Sequence, residues 1–247
     1  MDWTDEGLVT GVRRHGEASG IVELLTAHHG RHLGLVRGAY SRRLAPVLQI
    51  GNTVHATWRA RLGDQLGTYS VEPVRLRAES LMRTAHSSFG ISHMAQMLRL
   101  LPERDSHPSL FTVCETILDT FDDPRSAAIL MARLEVAMLA ELGFGLDLDR
   151  CAATGTRDDL VYVSPRTGRA VSAAAGRDYA DRLLPLPSFL LANQVRPTFD
   201  EIAAAFQLTG HFLARNVMEP RGLSLSDARA GFLSAVARSD EDHDPHL

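Results

Sequence analysis

The chain has no lysine: all 26 of its basic residues are arginine. A phosphate-binding P-loop needs a lysine to reach the terminal phosphates, and Schiff-base chemistry needs a lysine amine, so both are removed. Cysteine is nearly absent too. Cys114 and Cys151 are the only two, too few for a disulfide framework. No apolar run approaches the ~20 residues that a membrane span needs. The richest, residues 127–142, is interrupted by Arg133, Glu135 and Glu141. The first six residues are acidic and have neither the basic nor the apolar region of a signal peptide. The nucleophile-elbow, zinc-protease and zinc-deaminase motifs are missing as well. These absences disfavour an ATP-driven or covalent enzyme and place the expected protein, in solution, in the cytoplasm.

What remains is a globular composition, 45% hydrophobic and 23% charged, in a chain long enough for two or three small domains. The net charge of −4 divides unevenly. Residues 1–77 carry ten arginines against seven acidic residues, a net of +3, whereas the remainder carries 16 against 23, a net of −7. A basic module joined to an acidic body is the arrangement expected of a chain that meets a polyanion through one end.

The first 75 residues read as β-structure. In 54–62, Val54, Ala56, Trp58, Ala60 and Leu62 form one face and His55, Thr57, Arg59 and Arg61 the other, a period of two. Shorter runs at 7–12, 21–26, 33–36 and 68–71 complete five strands with no helical period between them, which suits a small OB-fold barrel; a small antiparallel sheet packed on helices is the alternative. From Ser80 the period becomes helical. Leu110, Val113, Cys114, Ile117, Leu118 and Phe121 make one apolar stripe, and Met94, Met97, Leu98 and Leu101 another. Residues 127–142 are apolar nearly all round, as in a central helix. Thr198 to Glu201 reads as a capping box that opens a helix to about Arg215, and a last helix covers about 226–238. The expected class is therefore α+β: a barrel over 1–78 and a helical bundle over 79–247, with a small insertion at 149–178 and a disordered acidic tail at 239–247.

Arg13, Arg14, Arg31, Arg37, Arg42, Arg43, Arg59 and Arg61 all fall in the small β-module. Arginine's planar five-donor fork suits phosphate, and small barrels bind single strands with a basic groove and stacking aromatics. Arg59 and Arg61, two apart on one strand face, would stand ~6–7 Å from each other; the plainer reading is a pair of solvated strand residues. Tyr40 is either a stacking residue or a turn aromatic packed locally. His28, His29 and His32 read as an exposed turn rather than a metal site, Trp58 as barrel core, and Cys114 and the methionines as helical core. The acidic tail is solvated, or competes with DNA for the basic module.

The order of several short segments resembles the RecO family of recombination mediators. They are Gly7-Leu8-Val9, Arg13-Arg14-His15-Gly16-Glu17, Ile21 to Thr26, Gly30, and Gly34 to Ala39. Beyond the barrel come Leu142-Gly143-Phe144, Leu148 to Cys151, and Tyr162 to Gly168. The resemblance implies an N-terminal OB-fold, a helical bundle and a zinc-ribbon-like insertion. It also implies binding of single- and double-stranded DNA, strand annealing and recombinase loading without catalysis. The implied partners are RecR and single-strand-binding protein, with RecF and RecA as further ones. For the acidic, aromatic-ended C-terminal tail of single-strand-binding protein, Arg125 and Arg133 are the candidate rim of a pocket. Many relatives carry a four-cysteine zinc site in the insertion; here its positions read Cys151, Thr154, Ser172 and Ala175, so no metal and no cofactor are expected. A protein-only adaptor and a metal-dependent nuclease are the competing classes.

Overall fold

A computed structural model describes residues 1–191 and 196–241. The chain is mixed α+β and divides into two compact units, 1–122 and 123–247.

In the first unit five strands close into a barrel in the order β1-β2-β3-β5-β4: β1 Asp2–His15, β2 Ser19–Thr26, β3 Gly30–Val36, β4 Thr53–Arg59 and β5 Thr68–Arg75. The first strand is long enough to serve two neighbours, pairing with β4 through Asp2 to Leu8 and with β2 through Gly7 to His15. A bulge between Val9 and Gly11 accompanies the change of partner, since an extra residue bends and twists a strand. Alternate residues fill the interior: Val9, Val22, Leu24, Val36, Val54, Ala56, Trp58, Tyr69 and Val71 are buried together. Each large apolar side chain so buried contributes about 1.5–3 kcal/mol. Gly34 makes room for Tyr69, because a Cβ there would lie 2.4 Å from the ring.

Three helices complete this unit, α1 Ala78–Leu81, α2 Ala85–Leu98 and α3 Pro108–Asp119. Met94, Met97, Leu98 and Cys114 are buried, as their helical stripes predict. Arg75 and Arg77 pair with Glu115 and Asp119 of α3, tying the end of β5 to the helix.

The second unit opens on α4 Pro124–Glu141, capped by Asp123. A three-stranded sheet follows, in the order β7-β6-β8, from β6 Leu160–Val163, β7 Ala170–Ser172 and β8 Leu184–Pro185, with α5 Ala173–Gly176 after β7. The span 149–178, where an insertion is expected, holds β6, β7 and α5, whereas β8 lies beyond it. Next come α6 Phe199–Phe212, opened by the Thr198–Glu201 capping box, a π-helical continuation Leu213–Met218, and α7 Asp227–Glu241.

Three expectations need correction. The strand read as 54–62 ends at Arg59, and Leu62 is exposed in the loop beyond it. His32 is buried rather than exposed: its Nδ1 lies 3.0 Å from the Tyr69 hydroxyl inside the barrel. Where the tail is expected from residue 239, α7 continues through Glu241; residues 242–247 lie outside those described.

Candidate nucleic-acid interface

On the barrel, β3 and β5 run parallel and pair only at Leu35 and Thr68. The groove over this short contact, about 470 Å³, is lined by Leu35 to Arg37, Arg43, Leu44, Thr57, Arg59 and Thr68 to Val71. Three of the predicted arginines meet there. Arg37 and Arg43 come from the segment after β3 and Arg59 from the end of β4, and all three are exposed. Among the described residues none of the three is ion-paired. Elsewhere in the unit, carboxylates occupy Arg31, Arg75, Arg77 and Arg99. Unneutralised guanidinium groups around a groove that also offers the hydroxyl-bearing Thr57, Thr68 and Ser70 make a surface fitted to phosphate oxygens.

The remaining candidates are distributed otherwise. Arg14 and Tyr40 are brought together, with the guanidinium carbon 4.9 Å from the ring centre, a cation–π contact that orients both at the surface. Arg42 and Arg61 are exposed but do not line the groove. Arg13 faces a second groove with Glu23, Arg99 and Glu103. Arg31 is committed to structure: Nη1 donates to Glu23 Oε1 at 2.6 Å, Nε donates to the Leu101 carbonyl, and its side chain is 15% exposed. In the second unit Arg125 and Arg133 both lie half-buried on α4, and Arg133 donates to the Phe189 carbonyl at 2.8 Å.

An aromatic cluster packs against the barrel core. Trp3 stacks on His29 with ring centres 4.2 Å apart and packs edge-on against His32 and Tyr69. Burial, helped by the positive charge of Arg104, pulls His32 down to about 4, so it is neutral at pH 7 and adds no charge to the groove. Burial likewise pushes the Tyr69 hydroxyl well above its usual range. Asp5 is nearly buried, which works to raise its carboxyl. Hydrogen bonds from His29 and His28 outweigh this and hold it below the ordinary carboxylate range.

At the positions where the family resemblance implies zinc ligands, the structure places a set of contacts around Cys151. Cys151 is buried, and the amide and hydroxyl of Ser172 point at its Sγ from 3.3 and 3.5 Å. Burial works to raise this thiol, but hydrogen bonds from Ser172 and Thr154 outweigh it and bring it down to about 6. A thiolate held by hydroxyl and amide donors, with Ala175 as a fourth neighbour in sequence pattern, does not fit a tetrahedral zinc site. Among the described residues no group of three or more His, Cys, Asp or Glu side chains could hold a metal ion. The purified protein should therefore contain no stoichiometric zinc, and a chelator should leave its melting temperature unchanged. One zinc per chain by elemental analysis would contradict this.

Comparison with known proteins decides the family. Residues 1–77 match the profile "Recombination protein O N terminal" and residues 83–224 match "Recombination protein O C terminal". The chain belongs to the RecO family. Curated relatives named DNA repair protein RecO agree over nearly their full lengths. That of Xanthobacter autotrophicus is 61% identical over 97% of this chain and 98% of its own. That of Afipia carboxidovorans is 57% identical over 97% of each, and that of a Chelativorans species 56% identical over 97% of each. RecO membership carries a role in DNA repair and recombination, and no helix among the described residues is long and apolar enough to cross a membrane.

Sequence reasoning missed Thr57, Thr68, Ser70 and Arg104. The first three were readable as outward positions of β4 and β5. Arg104 had no sequence signal, because the loop it contacts lies about 40 residues away.

Proposed function

We propose that the barrel is an OB-fold whose groove between β3 and β5 binds the DNA backbone, and that the chain is a recombination mediator without catalytic activity. The strand order, closed with β3 parallel to β5, is the support for the OB-fold reading. The observation that carries the function is the gathering of Arg37, Arg43 and Arg59, none of them ion-paired among the described residues, around one groove. Binding through phosphate rather than base edges accommodates single- and double-stranded DNA of any sequence. Such binding holds two strands near each other for annealing and keeps the protein with the nucleoid.

RecR and single-strand-binding protein are the proposed partners, with RecF and RecA acting on the loaded DNA. The half-buried Arg125 and Arg133 support a docking place on α4 for the acidic tail of single-strand-binding protein.

Annealing tests this reading. Complementary strands coated with single-strand-binding protein should anneal faster with this protein than without it, in the absence of nucleotide. Reversing both charges, Arg125→Glu with Arg133→Glu, should slow annealing of coated strands and spare that of bare ones. A strict ATP requirement would overturn the mediator reading. Absence of any salt-dependent DNA binding would point to a protein-only adaptor instead.

A further inference from the structure

The β4–β5 loop, residues 60–67, leaves the groove at Arg59 and returns to it at Thr68. Its shape is held from outside by two side chains. Arg104 lies in the segment between α2 and α3, and its Nη1 and Nη2 donate to the carbonyls of Gly63 and Gln65, the second at 2.8 Å. Its guanidinium carbon also lies 6.0 Å from the centre of the Trp58 ring, whose Nε1 donates to the Leu66 carbonyl at 2.9 Å. Three carbonyls of the loop are thus held by two side chains. Gly67, at a left-handed φ of +65°, completes the packing, since a Cβ there would lie 2.4 Å from Trp58 Nε1.

The backbone of Arg104 is itself constrained. Its φ is +65°, in the left-handed region that disfavours an arginine, and its amide donates to the Arg31 carbonyl on β3 at 2.8 Å. A planar side chain with several donors in a fixed fork is well suited to bridging two carbonyls at once. A strained position that carries such a fork is the kind of feature a surrounding structure retains for a task beyond packing.

We infer that Arg104 is a positioning residue for the DNA groove: its fork on Gly63 and Gln65 holds the β4–β5 loop, and through it the Arg59 edge of the groove, in the shape that receives a strand. This rests on the DNA-binding reading above. Arg104 acts by pre-ordering the loop, so a bound strand loses less freedom on docking.

The test measures binding of the full chain to labelled oligo-deoxythymidine across a salt series, together with trypsin cleavage after Arg61. Arg104→Gly accepts the left-handed backbone and removes the fork, so it keeps the fold while freeing the loop. It should bind about tenfold more weakly, the scale expected when one ordered loop must be fixed on binding. Its salt slope should equal the wild-type value, because no phosphate contact is lost. Cleavage after Arg61 should accelerate, and Arg104→Lys, with a single-point donor, should fall between the two. Wild-type affinity in a folded Arg104→Gly protein would overturn the inference. So would a salt slope reduced as much as in Arg59→Ala, which would make Arg104 a direct phosphate contact. A wild-type protein that does not bind the oligonucleotide would overturn the DNA-binding reading itself, a result distinct from both.

Discussion

Replacing Arg229 by methionine should lower the stability of the second unit by about 3–5 kcal/mol, the cost of leaving a buried charge without its partner. Glu135, on α4, is fully buried. Its carboxylate receives Arg229 Nε at 2.7 Å and Nη2 at 3.0 Å, a two-point pairing between α4 and α7, and the Thr209 hydroxyl of α6 donates to it as well. Arg229 further donates to the Phe206 carbonyl and lies 5.1 Å from the centre of the Phe206 ring. Three helices thus converge on one carboxylate. The pair itself contributes little net stability, since desolvating two charges offsets most of their attraction. Breaking it is another matter, because the carboxylate stays behind. Thermal or urea unfolding should show the loss in Arg229→Met and its recovery in the double variant with Glu135→Leu, which removes the stranded charge. A single variant as stable as the wild type would show that water reaches Glu135.

The second large effect concerns the groove. Changing Arg37, Arg43 and Arg59 together to alanine should reduce the slope of log affinity against log salt by about 2, at ~0.7 per phosphate contact on a single strand, and weaken binding about a hundredfold at 0.1 M salt. Stability should hardly change, since exposed substitutions shift it by within about 0.5 kcal/mol each. Arg31→Ala is the contrasting variant. It strips Glu23 of a partner inside the unit, so it should cost stability and leave the salt slope intact. A triple variant with the wild-type slope would move the DNA path to the surface around Arg14 and Tyr40.

Much of this was legible in the sequence where periodicity decides the structure. The alternation along residues 54–59 gave an inward Trp58 and an outward Arg59, and the stripes around Met94 and Cys114 gave buried helix faces. Arg61 was misplaced because alternation carries no stop signal. The strand ends where Trp58, Arg104 and a left-handed Gly67 fold the loop back, and two of those three act from a distance. His32 was misread for a similar reason. Its place inside the barrel depends on Tyr69, 37 residues away, and a polar residue looks exposed until its buried partner is known. Arg31 and Arg37 look alike in sequence. Only the fold brings Glu23 to the first and leaves the second without an ion pair among the described residues. The Glu135–Arg229 pair, 94 residues apart, lies beyond any local pattern.

The single residue pair that joins β3 to β5 has a dynamic consequence. Local opening takes the path that breaks the fewest buried hydrogen bonds. Every other pair of neighbours in the barrel shares a ladder of at least seven residue pairs, so this junction is where the barrel parts at least cost. Arg37 and Arg43 stand on one bank of the junction and Arg59 on the other. On the proposed DNA-binding reading, a polyanion spanning them would act as a removable cross-link, and the barrel's own breathing would become a quantity that nucleic acid controls.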